Sequence, residues 1–399
     1  MNFLLENKGF LLGVLSALIV SSFSTPEGLS VEAHRTAAIF ILMGVWWATE
    51  AVPVAVTALV PLALFPILGI VDIQDAANPY ANKTIYLFFG GFLLAIAIQK
   101  WDLHKRIALF VLERAGSNGA SLVLGFMLTA AVISMWVMNT ATTIMLLPIG
   151  LAVVTVVKET VKGLSEKETE NFQLSLLLGI AYGATIGGMS TLIGTGPNGM
   201  LAAFMADNYD LDISFIDWMK VGVPLSAIML PSSWFVLTRI IYPVRFKTSE
   251  ETRTLLSSMK EELGEFQGPE VKVFMVFLLT ALCWMLRTVL DDLPGLGGLS
   301  DAGIAMISAM LLFLLPSGDK ETKGPLLEWE DAQKNVPWGL LVLFGGGLSL
   351  ANAVQSTGLA VWIGNLIPQG ISIVLIVVLV VTLIIFLTEL TSNMATTAT

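Results

Sequence analysis

Long apolar runs separated by short polar connections organise this chain. Runs at 9–24, 34–50, 54–72, 83–99, 173–206, 218–241, 271–290, 301–316 and 337–355 read as membrane-crossing helices, because about 20 mostly apolar residues span a hydrocarbon layer of roughly 30 Å. The runs are continuously apolar, whereas barrel strands alternate apolar and polar positions with period two. The pattern predicts an all-α, polytopic membrane protein. Residues 245–268, which contain KTSEETRTLLSSMKEELGEF, are the longest polar connection. They read as an amphipathic surface helix, not a site, dividing the chain into halves of related pattern. The first run is followed by Glu27 and Glu32 rather than a small-residue cleavage site, so it reads as a retained helix.

Composition agrees with the class. Hydrophobic residues make up 55% of the 399 and charged residues 13%, with a mean hydropathy of +0.80, well beyond a soluble domain. The formal charge of -10 is scattered through loops rather than gathered in a tail, which gives nucleic-acid binding no support. The single cysteine, Cys283, excludes a disulfide framework or thiolate metal site. It reads as a small buried or lipid-facing side chain. An intramembrane enzyme finds no HExxH and no plausible aspartate pair, and His34 and His104 sit at helix ends. Basic residues favour the cytoplasmic side. With the N-terminus inside, 17 of the 21 Lys and Arg fall on inner loops and helix ends, leaving Arg35, Lys83, Lys220 and Arg287 outside. This closes only if residues 121–157 enter and leave on the cytoplasmic side, since Lys105 and Arg106 precede them and Lys162 and Lys167 follow. They are therefore expected to form a re-entrant hairpin.

That hairpin carries no Asp, Glu, Lys or Arg, yet its middle reads SMWVMNTATTIMLLP, with Ser134, Asn139, Thr140, Thr142 and Thr143 between apolar arms. Each arm is expected to be too short to cross alone. Non-helical backbone at membrane depth persists only where protein buries it or it lines a cavity, so the polar tip predicts a binding site; the competing reading is helix–helix glue. A repeat favours the site. LFFGGFLLAIAIQ at 87–99 recurs as LFGGGLSLANAVQ at 343–355, offset by 256, and MNTATT at 138–143 recurs as SNMATT at 392–397, offset by 254. Recurrence in order and near-constant spacing marks an inverted transporter repeat, whose two tips are expected to meet near the midplane. A third element, GATIGGMSTLIGTGPNG at 183–199, interrupts an apolar span. Its glycines and Pro197 break the helix and free amides for an anion and carbonyls for a cation. Close packing explains Gly187 and Gly188 well, but not Thr195, Gly196, Pro197 and Asn198.

Through SMWVMNTAT, IGGMSTLIGTGPN and LTELTSNMATTAT the chain resembles, over nearly its whole length, the divalent anion/sodium symporters, carriers of succinate, citrate and related acids. The resemblance implies a homodimer in the plasma (inner) membrane that couples sodium to uptake of di- or tricarboxylates such as succinate, malate, fumarate or citrate by an elevator-type mechanism. It implies scaffold helices at 1–118 and 270–370, a transport domain with hairpin and broken helix at 119–217, a crossing at 218–245, a cytoplasmic amphipathic loop at 246–269 and the start of a second hairpin at 371–399. By position, sodium is expected on Ser134, Asn139, Gly194 and the residue at Met138, and, at the second tip, on Thr388, Thr391 and Asn393. Substrate contacts are expected from Asn139, Thr140, Thr195, Ser392 and Asn393. With no intramembrane arginine, neutral donors, helix N-termini and co-bound sodium would offset the substrate's charge. Glu389 would repel an anion, so a structural hydrogen bond is expected for it. Met138 and Met394 depart from the family's Ser and Thr, and a thioether is a poor ligand for a hard cation. The loss at Met138 leaves an anion exchanger or proton-coupled carrier of the same fold as the alternative. The chain also stops at Thr399, before the returning arm of the second hairpin, and is expected to be a fragment.

The topology has a direct test. Asn118→Cys and Gly163→Cys, in a Cys283→Ser background, are expected to react with an impermeant maleimide from the cytoplasmic side alone; labelling on opposite faces would make residues 121–157 a crossing segment.

Overall fold

A computed structural model of the chain describes residues 7–114, 116, 118–266, 268–319, 323–368, 370–389 and 391–398. Among these the secondary structure is helical, with only two isolated β-bridges, Asn118 to Lys247 and Pro316 to Pro325. In chain order the α-helices are α1 (Lys8–Ser22), α2 (Val31–Thr49), α3 (Val54–Thr57), α4 (Val60–Ile67), α5 (Ile73–Ala77), α6 (Lys83–Lys100), α7 (Leu103–Leu112) and α8 (Gly119–Ser134). There follow α9 (Asn139–Thr160), α10 (Glu166–Gly188), α11 (Gly196–Tyr209), α12 (Phe215–Phe235, extended by a π-turn to Ile241), α13 (Glu250–Glu262), α14 (Pro269–Met285) and α15 (Arg287–Asp291). The last are α16 (Asp301–Leu314), α17 (Trp329–Asn335), α18 (Trp338–Ser356), α19 (Leu359–Leu366), α20 (Ile373–Thr388) and α21 (Asn393–Ala398). The chain is an all-α polytopic membrane protein.

Sequence sets the helix starts locally. Asn7, Ser30, Asp72, Asn118, Ser165, Ser214, Ser249 and Ser300 each accept, through the side chain, the amide three residues on, which satisfies one of the four orphan donors of a helix N-terminus. The expected surface helix is α13, which buries Thr252 and Leu256, packs Leu255 and Met259 against the core and is otherwise polar. Two expectations fail. The run at 54–72 is not one crossing: it breaks into α3 and α4, with Pro61 in the first turn of α4, because proline removes a backbone donor and clashes with the preceding turn. The second arm of the first hairpin is not short either. α9 continues through Lys158 and Glu159 to Thr160, giving 22 residues, and is one of four helices among the described residues long and apolar enough to cross a membrane.

The repeat is visible in the helix boundaries. At the 256 offset, α5 begins at Ile73 and α17 at Trp329, α6 ends at Lys100 and α18 at Ser356, and α7 and α19 begin at Leu103 and Leu359. The residues before that last pair, Asp102 and Gly358, both take the left-handed conformation. α7 has ten residues and α19 eight, so the offset becomes 254 from α8 and α20 onward. Ser134 and Thr388 then end their helices, and Asn139 and Asn393 begin the next.

The helices gather into two units. The first comprises residues 1–86, 199–212 and 337–399, the second 87–198 and 213–336. In the first unit α1 packs on α2, where a Cβ on Gly13 would lie 2.5 Å from the Trp46 ring. Lys83 pairs with Asp212 at 2.8 Å, and the Asn82 amide donates to both Asp207 oxygens. In the second unit Phe126 and Met127 of α8, Val153 and Val157 of α9 and Phe172 and Leu176 of α10 form a fully buried core. Gly179, Gly183 and Gly187, spaced four residues apart, make a stripe along α10 against α8, the small-residue seam that lets membrane helices approach closely. The loop side is fastened by Arg106 to Glu270 at 2.6 Å, Lys260 to Glu113 at 2.7 Å and Lys100 to Asp331 at 2.6 Å. Large apolar side chains such as Leu15 and Leu18 on α1 and Val221 and Ile228 on α12 stay exposed, as lipid-facing positions require.

The seam can be tested at Gly187, where a Cβ would stand 2.2 Å from the Ala131 carbonyl oxygen. Gly187→Ala is expected to destabilise by about 1–3 kcal/mol of overpacking, read as a lower melting temperature in detergent. Gly364→Ala, with open space around it, should not lower it.

Candidate functional site

The first tip is built by ending one helix and starting another within four residues. α8 stops at Ser134, residues 135–138 turn, and α9 begins at Asn139 with Met138 as its N-cap. Met138 offers no capping side chain, so the first amides of α9 keep the orphan donors and partial positive charge of a bare helix N-terminus. Trp136 anchors the turn, stacked on Phe215 at 5.9 Å and Trp284 at 6.3 Å and edge-on to Phe277 at 4.8 Å. Asp301 backs this slab by accepting the Phe215 amide at 2.8 Å and pairing with Arg287 at 3.2 Å.

Facing the tip, α10 ends at Gly188 and α11 starts at Gly196, so the predicted interruption narrows to residues 189–195. The groups freed there are nearly all engaged. The buried Asn198 amide donates to the carbonyls of Gly188 at 3.1 Å and Thr191 at 2.7 Å. The Thr191 hydroxyl donates to the Met135 carbonyl and accepts the Gly194 amide at 3.1 Å. Trp218 caps the Met189 carbonyl at 2.9 Å, and Ser226 donates to the Ile186 carbonyl at 2.7 Å.

Asn139 ties the two breaks together. One terminal atom of its amide lies 2.8 Å from Ser134 Oγ and 3.3 Å from the carbonyl oxygens of Gly194 and Ala184. As nitrogen, with two N–H bonds, that atom has all three oxygens within donating distance. As Oδ1 it accepts the Ser134 hydroxyl and faces two other acceptors, an arrangement that a cation would stabilise. Gly188 makes the space, for a Cβ there would be 2.3 Å from the amide and 3.1 Å from the Gly194 oxygen. The converging groups, a hydroxyl, an amide and two backbone carbonyls, are all neutral.

The predicted residues divide clearly. Ser134, Asn139 and Gly194 converge. Thr140 and Thr195 adjoin them with hydroxyls that make no hydrogen bond among the described residues, Thr140 being exposed and Thr195 half-buried. The Thr142 and Thr143 hydroxyls instead turn back to the carbonyls of Val137 and Asn139. Thr388, Thr391, Ser392 and Asn393 lie in the other unit, at the break between α20 and α21. There the Thr388 and Thr391 hydroxyls donate to Ile385 and Leu387 carbonyls at 2.9 and 3.1 Å. Thr397 bonds the Asn393 carbonyl as Thr143 bonds Asn139. Glu389 is exposed and makes no hydrogen bond among the described residues, so the structural bond expected for it is not found. Sequence reasoning missed Ala184 and Thr191. The Ser-Thr pair after the double glycine signalled Thr191; nothing local signalled a carbonyl at 184.

A family model described as "Sodium:sulfate symporter transmembrane region" matches residues 6–399. The sodium-dependent dicarboxylate transporter SdcS of Staphylococcus saprophyticus is 37% identical over 392 residues, 97% of this chain and 75% of that protein. The proteins of the same name from Staphylococcus aureus strains bovine RF122 and USA300 are 36% identical over the same shares.

The geometry predicts coupling between Gly188 and Asn139. Gly188→Ala and Asn139→Ala should each lower the melting temperature, and the double variant should lose less than the sum, because removing the amide vacates the space the new methyl needs. A coupling of about 0.5–3 kcal/mol is expected; strict additivity would show that the two do not touch.

Proposed function

The chain belongs to the sodium:sulfate symporter family, and on that premise we propose that it is a secondary active transporter coupling sodium to uptake of small di- or tricarboxylates such as succinate, malate, fumarate or citrate. It is a transporter and not an enzyme. The observation that carries the reading is the convergence of three neutral oxygens, Ser134 Oγ and the Gly194 and Ala184 carbonyls, on one terminal atom of the Asn139 amide. With Oδ1 turned toward them, these groups form an oxygen cage suited to a hard cation; with Nδ2 turned inward, the cage closes on itself without one. The amide thus has two satisfied states, one with sodium and one without.

Sodium and carboxylate then support one another. The ion lies at a bare helix start, where its charge and the amides of α9 favour an anion. Thr140 and Thr195 offer the unengaged hydroxyls, and the free end of Asn139 can meet a carboxylate while its other end meets sodium. Thr388, Thr391 and Asn393 hold sodium, and Ser392 and Asn393 substrate, at the second tip. Coupling follows because a dianion held by neutral groups at membrane depth lacks a counter-charge until sodium is bound. The elevator motion, with residues 119–217 as part of the moving body, the homodimer, and residence in the plasma membrane with a cytoplasmic N-terminus belong to this proposal, supported by the family and the basic-residue distribution. Met138 supports a second reading: it puts a thioether where a hydroxyl would ligate, as suits an exchanger or proton-coupled carrier.

Labelled succinate uptake in proteoliposomes decides between them: an inward sodium gradient should drive accumulation, and uptake indifferent to sodium would favour the second reading. Asn139→Ala and Asn393→Ala are each expected to abolish uptake while leaving expression intact, and normal uptake in either would sink its assignment. Met138→Ser should lower the sodium concentration for half-maximal uptake by about 10- to 150-fold, the worth of one charge-assisted contact. No change there would mean that the ion does not use this side chain.

A further inference from the structure

A cavity of about 730 Å³ lies within the first unit between α1, α2 and α4, remote in sequence from either tip. Its size falls in the range of small-molecule sites, roughly 300–1,000 Å³. Trp46 lines it, with Gly13 packed on the indole, which stacks on Phe10 at 5.1 Å and donates to the Phe10 carbonyl at 3.2 Å. His34 of α2, also in the lining, is tied to α1 and the loop that follows it, its ring bonding the Val20 carbonyl at 2.9 Å and Thr25 Oγ1 at 3.3 Å. The walls are apolar, including Val14, Leu18, Ile39, Leu42 and Leu64, whereas the mouth carries Ser21, Ser24, Thr25 and Arg35. Along α2 the lining runs from Val31 to Trp46, about 22 Å at the helical rise of 1.5 Å per residue. One leaflet of hydrocarbon is about 15 Å deep. The crevice is therefore long enough to take one acyl chain, with mostly apolar walls and its polar lining gathered on Ser21, Ser24, Thr25, His34 and Arg35.

Arg35 selects the head group. Its Nη1 donates to the Leu68 carbonyl at 2.6 Å, across the mouth, which fixes the guanidinium and leaves four of its five N–H donors. Among the described residues it has no carboxylate partner, although Glu27 and Glu32 are near in sequence. A held arginine with spare donors and no carboxylate partner favours a lipid phosphate whose head group carries no compensating cation, and exposed Leu15, Leu18 and Ile19 place this face of α1 against lipid.

We propose that the α1–α2–α4 crevice binds an anionic phospholipid, one acyl chain along Leu18 and Leu42 and its phosphate on Arg35. The inference rests on the membrane class of the chain and not on the transport reading. It is tested by native mass spectrometry of the full chain, delipidated in detergent and titrated with palmitoyl-oleoyl phosphatidylglycerol or with phosphatidylcholine of the same chains. One phosphatidylglycerol should be retained about fivefold more tightly, the worth of one basic residue at an anionic head group. Arg35→Gln should remove the preference, and Arg35→Lys should largely keep it. Ala17→Trp, which fills the cavity, should remove the tight adduct; should that variant fail to fold, the Arg35 pair alone decides. Equal retention of the two lipids, a preference unchanged in Arg35→Gln, a tight adduct surviving in folded Ala17→Trp, or displacement by equimolar palmitate would each overturn the assignment.

Discussion

Backbone polar groups have no water to bond with in a hydrocarbon layer, so any break in a membrane helix must be repaired by protein. This governs the second unit. Where α10 ends, the carbonyls of Ile186, Gly188, Met189 and Thr191 would lack partners, and Ser226, Asn198 and Trp218 supply donors to them, while the Asn139 amide approaches the carbonyls of Ala184 and Gly194. The repair recruits residues from three helices, α9, α11 and α12, and thereby fixes the first tip in place. The Trp136 slab and the Arg287 and Asp301 pair extend that fixation outward.

A repaired break is also a chemically capable one. The same carbonyls that need a donor can serve a cation, and an asparagine amide can meet either need by turning over. That property distinguishes Asn139 from the threonines around it, whose hydroxyls are either consumed within the hairpin or left unengaged. Ionised side chains would make such a site costly at membrane depth. The charged residues of the second unit lie instead on its connections and helix ends, where Arg106, Lys260 and Lys100 find partners.

The repeat shows how far local sequence reaches. Ser134 and Thr388 end helices, Asn139 and Asn393 begin them, and Thr143 and Thr397 bond backwards to those asparagines, all at one offset. These are events within a few residues of chain, governed by hydroxyls and amides that compete with the helix ladder. Where a longer reach was needed the sequence misled: an apparently continuous crossing breaks into two helices next to Pro61, and three polar residues past Val157 prolonged α9 to full crossing length.

By itself, then, the sequence determined the helical membrane class, the positions of nearly every long helix, the two tips and the interruption between α10 and α11, because apolar run length, capping side chains and glycine or proline act locally. Tertiary structure decided which of the marked residues form a site. Thr140 and Thr142 are the same residue type two positions apart, yet one hydroxyl is left over and the other is spent on Val137, since a helix turns them to different neighbours. Gly187 and Gly188 are adjacent glycines, yet one seats α8 and the other makes room for an amide. Ala184 enters through its carbonyl alone. A carbonyl carries no signature of residue type, and only the packing of α10 against the first tip brings that oxygen to Asn139.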